Sequence, residues 1–290
     1  MSATLVLPDY TGRLGNRLIL HAHVLAAAME LRCRVWNLSL LPAAHYFEGL
    51  HLNPLCSYPQ RHFPADFRWA IRPVRRGIEE WVRACRRRGT AGGGKVVLLD
   101  RENRRVLDLA GKPFAHLVRR HPLLVLWGYS FRCPKLLRKH AAEIRRHLRV
   151  RKEFAEAGPE PAGRPAPSRR IVVHIRQGDF RTWQEGKFYR SPRCMAQALH
   201  RLIGKDSGKR RQVWVCSDEP VPHHLFPPGT KVETRELGRD LWLLTNATDV
   251  VSARSTLAAW AAFQGGARHW LVDCKGGLHL QKPGDFFTKH

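Results

Sequence analysis

The chain is short of acid, has no closely paired cysteines, and has no apolar run long enough to cross a membrane. Acidic residues number 24 against 50 Lys and Arg, a formal net charge of +26 over 290 residues. A field of that sign favours polyanions such as nucleic acid, anionic lipid or phosphorylated sugars. Arginine spread over solvated helix faces accounts for the same count without any partner. The excess gathers in "RWAIRPVRRGIEEWVRACRRRG", "RKHAAEIRRHLRVRK" and "GRPAPSRR". The seven cysteines (Cys33, Cys56, Cys85, Cys133, Cys194, Cys216, Cys274) are scattered, odd in number and free of any CxxC. That argues against a disulfide framework or a structural zinc site and for reduced thiols. There is no Asp-x-Asp and no run of His and Cys ligands, so no metal is expected. The absence of a long apolar stretch excludes a transmembrane helix. "MSATLVLPDY" also lacks the basic start and long apolar region of a signal peptide, and a soluble, cytoplasmic protein is the expectation. No RNA- or DNA-binding motif is present and the arginines do not interleave with aromatics, so no specific nucleic acid is expected.

What is present is an alternation of strands and helices, built from 43% hydrophobic residues. "ATLVLP" reads as strand, "DYTGRLGNR" as loop, "LILHAHVLAAAMELR" as helix and "CRVWNL" as strand, a βαβ opening. "KVVLLD" and "PLLVLWGY" are further buried strands, and "PKLLRKHAAEIRRHL" is one amphipathic helix. "EAGPEPAGRPAPSRR" is too rich in Pro, Gly and Ala for either element and predicts a linker at 157–168. Alternation then resumes. "RIVVHIR", "RQVWVCSD", "TDVVSA" and a last "RHWLVDC" are strands, while "SPRCMAQALHRLIGK", "RDLWLLTNA" and "STLAAWAAFQGG" are helices, the first of them capped by Ser191. The expectation is an α/β protein with two Rossmann-like parallel domains, 1–156 and 169–290, facing a cleft.

Three segments put polar groups where open parallel sheets bind ligands, beyond the carboxyl ends of strands. "RIVVHIRQGDF" carries His174, Arg176, Gly178 and Asp179. Arg176 offers a planar fork of donors to a phosphate, and Asp179 can orient it or order the loop. "GRLGNR" places Gly12, Arg13, Gly15 and Asn16 at the start of a helix, where free N–H groups favour an anion. It is not the dinucleotide GxGxxG, having too few glycines at the wrong spacing. "TDVVSARSTLAAW" places Ser255 and Thr256 at another helix start. Each segment has an ordinary structural explanation as a turn or cap. Asp240 and Asp249 read on composition as surface or capping residues.

Taken together these segments resemble the α-1,2/α-1,6/protein O-fucosyltransferase superfamily. "GRLGNR" is similar to its N-terminal Gly-Gly-Leu-Gly-Asn-Gln loop, and "VVHIRQGDF" to its His-x-Arg-Arg-Gly-Asp segment. "VWVCSDEP" is similar to its strand ending in Ser-Asp-Asp, and "TDVVSARSTLAAWAAF" to its Ser-x-Ser-Thr-Phe-Ser-Trp-Trp-Ala stretch. The order and separations match, with the bacterial α-1,2 branch the nearest. The resemblance implies a GT-B-like fold and a metal-independent, inverting transferase. Its donor would be GDP-fucose, bound mainly by the C-terminal domain, and its acceptor a glycan hydroxyl, in α-1,2 linkage. It gives Arg176 the donor diphosphate, His174 the vicinity of the guanine and Asp240 the guanine edge. Ser255 or Thr256 would meet a phosphate. Arg13 and Asn16 would close on the donor, and Gly12, Gly15, Gly178, Asp179 and Asp218 would order the loops. Glu185 stands near the catalytic acid residue of the α-1,6 branch and is the candidate base, with Asp218 and Asp9 as alternatives.

The sequence departs from the pattern at Gln177, where relatives carry a second arginine, and at Arg17, where they carry glutamine. Either Arg176 with another base such as Arg181 or Arg13 suffices, or donor affinity is weak, or the donor is a different sugar nucleotide. The basic excess would suit an anionic glycan, or a lipid-linked oligosaccharide reached by peripheral contact with an anionic membrane. A basic nucleic-acid-binding protein is the alternative of another class.

Overall fold

A computed structural model describes residues 2–8, 12–60, 68–90, 92–93, 95–101, 105–155, 169–204, 211–233 and 236–281. The expected linker at 157–168 and the alternative base Asp9 lie outside these residues. The chain forms two compact units, one running from Met1 to Arg149 and the other beginning at Val150. The boundary precedes the expected one at 156. The short turn Lys152–Phe154 belongs to the second unit, because a side chain at Gly238 would run into the Phe154 ring.

The first unit contains β1 (Thr4–Leu7), α1 (Leu14–Leu31), β2 (Arg34–Asn37), α2 (Arg68–Arg87), β3 (Gly92–Gly93), β4 (Val96–Asp100) and β5 (Leu107–Asp108). It continues with α3 (Lys112–Arg120), β6 (Leu123–Trp127), β7 (Phe131–Arg132), α4 (Pro134–Lys139) and α5 (Ala141–His147). Its main sheet runs β2-β1-β6-β4-β3, parallel except for β3. β5 and β7 make a separate parallel pair.

α2 is the first of the arginine-rich stretches, and its spacing explains the charge. Ile78, Trp81, Val82 and Cys85 recur at helical intervals and pack on Val6, Leu98, Val125 and Trp127 of the sheet. Around them Arg75 and Arg83 pair with Glu79, and Arg86 pairs with Asp100. The second stretch, one helix by its spacing, is two. Backbone angles of φ −100° and ψ 15° at His140 end α4, while Glu30 of α1 holds both Lys139 and His140. The apolar spacing runs on through the break, so periodicity alone could not show it.

The second unit contains β8 (Arg169–Ile175), α6 (Pro192–Gly204), β9 (Arg211–Ser217), β10 (Lys231–Glu233) and α7 (Leu237–Thr245). β11 (Asp249–Ser252), α8 (Thr256–Gly265), β12 (Arg268–Val272) and β13 (Leu278–Gln281) complete it. The sheet order is β10-β9-β8-β11-β12-β13. Counted from β8 this is 3-2-1-4-5-6, the Rossmann order, parallel except for β13. "RHWLVDC" is therefore not the last strand.

Side chains of β8 alternate between two apolar layers. Ile171, Val173 and Ile175 pack with Met195, Leu199 and Leu202 of α6. α8 packs on β11 and β12 and is apolar all round, with Leu257, Trp260 and the alanines buried. Asp249 is fully buried at the amino end of β11 and accepts hydrogen bonds from Arg169 at 2.7 Å, Trp270 at 2.8 Å and Arg268 at 2.9 Å. The surface or capping role expected of Asp249 is corrected: it is the anionic hub of a buried polar cluster. Burial pushes its carboxyl up, and the three donors outweigh that and hold it below the usual carboxylate range.

Candidate functional site

In the Rossmann order the crevice opens where successive strands leave in opposite directions, here between the carboxyl ends of β8 and β11. His174 arrives there on β8 with Arg176 just past its end, and Ser252 of β11 sits opposite His174 in register. His174 is buried, and its Nδ1 has no hydrogen-bond partner among the described residues. Burial, then the neighbouring Arg176 charge, lower its pKa to about 4 against a smaller opposing pull from Asp218. It is a neutral imidazole at physiological pH, able to donate or accept. Its neighbour His269 is likewise lowered to about 4 by burial and bonds Ser252 Oγ at 2.8 Å.

Arg176 gives its Nε to Asp179 at 2.8 Å and lies over the Phe180 ring at 5.2 Å. One terminal nitrogen, Nη2, is buried without a hydrogen-bond partner among the described residues. Asp179 thus fixes the guanidinium through one edge and leaves donors for something else. Phe180 belongs to an aromatic group with Trp183, 5.9 Å away, and Phe188, 6.5 Å away. Trp183 is 48% exposed.

The loop beneath is held by polar contacts. Asp218 accepts the Gln177 N–H at 2.7 Å, and a Cβ at Gly178 would stand 3.2 Å from the same carboxylate. Gln177 is 4% exposed, and its Nε2 donates to Ser217 Oγ and the carbonyls of Glu219 and Pro220. Arg181 bonds Glu219 at 2.7 Å and Gln177 Oε1 at 3.2 Å. The amide side chain at 177 is thereby part of the fold.

Across the strand pair, Ser255 caps α8, its hydroxyl accepting from the Ala258 N–H at 3.3 Å, with Thr256 as the first helical residue. The helix N-terminus, with its uncommitted backbone donors, lies just past the end of β11. Arg254, between the strand and the cap, was not singled out from the sequence. It is exposed and lies 5.9 Å from the Phe188 ring centroid. The strand order supplies the missing signal, since it makes β11 the partner of β8.

The other expected residues lie on other elements. Glu185 is exposed on left-handed backbone, φ 58°, between Gln184 at 47° and Gly186 at 73°. Three such residues in succession are strained for all but glycine. Asp240 is half-buried in the first turn of α7. Arg13, Gly15 and Asn16 open α1 of the first unit, where Gly12 takes φ 67° and Arg17 donates to its carbonyl at 2.9 Å. Among the described residues no three His, Cys, Asp or Glu gather where a metal ion could be held. No helix among them is long and apolar enough to cross a membrane.

The architecture is that of a GT-B-type fold, α/β units of parallel strands with a Rossmann-ordered second unit. Solved structures share it. A mutant of FUT1 from Arabidopsis thaliana, in complex with GDP, superposes with a TM-score of 0.56 at 13% identity, over 94% of this chain and 70% of that one. The fucosyltransferase NodZ from Bradyrhizobium gives 0.51 at 16% identity over 97% and 99%. POFUT1 in complex with GDP gives 0.51 at 13% over 92% and 95%. No family model matches the sequence, and neither does any curated protein.

Proposed function

We propose that the chain is a GDP-sugar-dependent glycosyltransferase of the fucosyltransferase kind, moving fucose from GDP-fucose to a glycan hydroxyl. One observation carries this reading: two polar groups, His174 Nδ1 and Arg176 Nη2, are buried without partners among the described residues at the end of a central strand of a Rossmann sheet. Burying a donor unpaired is costly, and a nucleotide that bonds both removes that cost. The similarity in fold to NodZ, and to FUT1 and POFUT1 in their GDP complexes, supports a guanine nucleotide over others.

In the proposed reaction the bond from the anomeric carbon to the donor phosphate breaks, and negative charge collects on the departing GDP. Arg176 and the α8 N-terminus face that charge as fixed donors that need no reorganisation. The acceptor oxygen attacks the opposite face of the sugar, inverting the centre. Glu185 is the proposed base, with Asp218 the alternative, although Asp218 already accepts the Gln177 amide. Because Gln177 is committed to the loop, its departure from the family pattern gives no support to another donor.

A GDP, UDP and CMP thermal-shift series tests the base, and the expected result is stabilisation by GDP alone. Arg176→Ala is expected to lower turnover by about 10²–10³, as removal of one charge-stabilising donor does elsewhere. Transfer near the wild-type rate would remove Arg176 from the mechanism. An α-1,2 linkage, a cytoplasmic enzyme and a lipid-linked acceptor at an anionic membrane belong to the same proposal, and the +26 charge supports the last.

A further inference from the structure

We propose that the first unit holds an anionic group of the acceptor glycan in a cavity beside Arg101, at the carboxyl end of β4. The inference rests on the glycosyltransferase reading above. It names the class of acceptor which that reading leaves open, a sugar bearing a carboxylate or a phosphate.

The cavity measures about 490 Å³ and lies where the end of α2 meets the end of β4, with Arg86, Thr90, Leu98, Leu99, Asp100 and Arg101 in its walls. Parallel α/β sheets bind ligands at that end of their strands. The volume falls in the range of small-molecule sites and is far more than a lone phosphate fills. Arg101 is the group that calls for a ligand. Its backbone N–H is held by the Trp127 carbonyl at 2.8 Å. Its Nε is wholly buried without a hydrogen-bond partner, and among the described residues no carboxylate pairs with its guanidinium. Such a donor is costly to leave unmet, and an anionic oxygen in the cavity removes that cost. Asp100 does not take this place. Its carboxylate pairs with Arg86 at 3.1 Å, and the Trp127 ring, 5.7 Å from the Arg86 guanidinium, steadies that pair. The carbonyls of Cys85 and Arg86 at the end of α2 accept the N–H groups of Thr90 and Gly89, which blunts the negative end of the helix. Arg86, Arg87 and Arg88 are exposed alongside and add a positive field, a use for the first arginine-rich stretch. The remaining walls suit a sugar. Thr90 offers a hydroxyl, a side chain at Gly89 would meet nothing within 4 Å, and Leu98 and Leu99 offer apolar surface to a ring face.

The test is titration of galacturonate, galactose 6-phosphate, galactose and GDP, followed by ligand-observed NMR. The proteins are the wild type, Arg101→Ala and Thr90→Trp, the last of which fills the cavity with Arg101 in place. The expected result is that the wild type takes at least one acid sugar more tightly than galactose. Arg101→Ala weakens that binding about tenfold to a hundredfold, the range for one charge-assisted bond, and Thr90→Trp removes it. GDP binding and the urea midpoint stay as in the wild type. The tighter acid sugar identifies the group as carboxylate or phosphate. Acid sugars bound no better than galactose, or equally well in Arg101→Ala, would overturn the inference, while GDP binding would leave the transferase reading standing. If Arg101→Ala fails to fold, undiminished acid-sugar binding in Thr90→Trp overturns it instead. A wild type that binds acid sugars but not GDP would end the transferase reading and the acceptor role with it.

Discussion

A buried carboxylate and a half-buried arginine can look alike in a sequence and do opposite things. Asp249 and Arg176 both stand at strand ends, but at opposite ends of the sheet. At the amino edge every donor around Asp249 is used, and at the carboxyl edge Arg176 keeps Nη2 unbonded. The first is a structural arrangement and the second is open to a ligand. Asp249→Asn is expected to destabilise by about 3–5 kcal/mol, because it strands Arg169 as a buried charge. Urea unfolding measures this, and GDP affinity in the folded variant should match the wild type. His174 and Arg176 were legible in the sequence because apolar strand and polar end were adjacent in it. The burial of Gln177 and Asp249 was not, because their partners come from distant strands.

At the scale of elements, spacing in the sequence located most of the strands and helices. It failed where a tertiary contact decides the outcome, as at His140, where Glu30 reaches across from α1. It also missed β13, whose half-exposed, weakly patterned residues pair antiparallel with β12. α8 illustrates how local chemistry and packing combine. Its apolar surface gives no amphipathic stripe, so the start of the helix is set by its cap, Ser255, and its body by burial. Ser255→Ala is expected to cost about 1 kcal/mol of stability, read as a shift in the denaturant midpoint with an unchanged slope. A loss of GDP affinity much larger than tenfold in the same variant would show that the hydroxyl also serves the donor.

Across the whole molecule, histidines link stability to pH. Burial lowers His147, His174 and His269 to about 4 and His23 to about 3, and pushes His21 well down. The unfolded chain binds protons on these groups near 6.5, so between pH 6.5 and 4 it binds more than the folded chain does. Stability therefore falls as pH falls, by up to about 1.4 kcal/mol per pH unit for each histidine. Thermal midpoints should drop steeply below pH 6, and a flat profile from 7 to 4.5 would contradict the burial of these rings. The two-unit α/β plan was readable from the order of elements, whereas the unit boundary at Arg149 was not, since it depends on Phe154 packing against Gly238.

The crossover between β8 and β11 has one more consequence. The two arginines near the aromatic pair follow strands that meet only after two intervening strands have been laid down on the far side of the sheet. A partly refolded chain that has built β8, β9 and β10 holds half of the proposed nucleotide site. If the chain binds GDP as proposed, that binding is tied to a late, long-range pairing step, and during refolding its onset should coincide with closure of that last central seam.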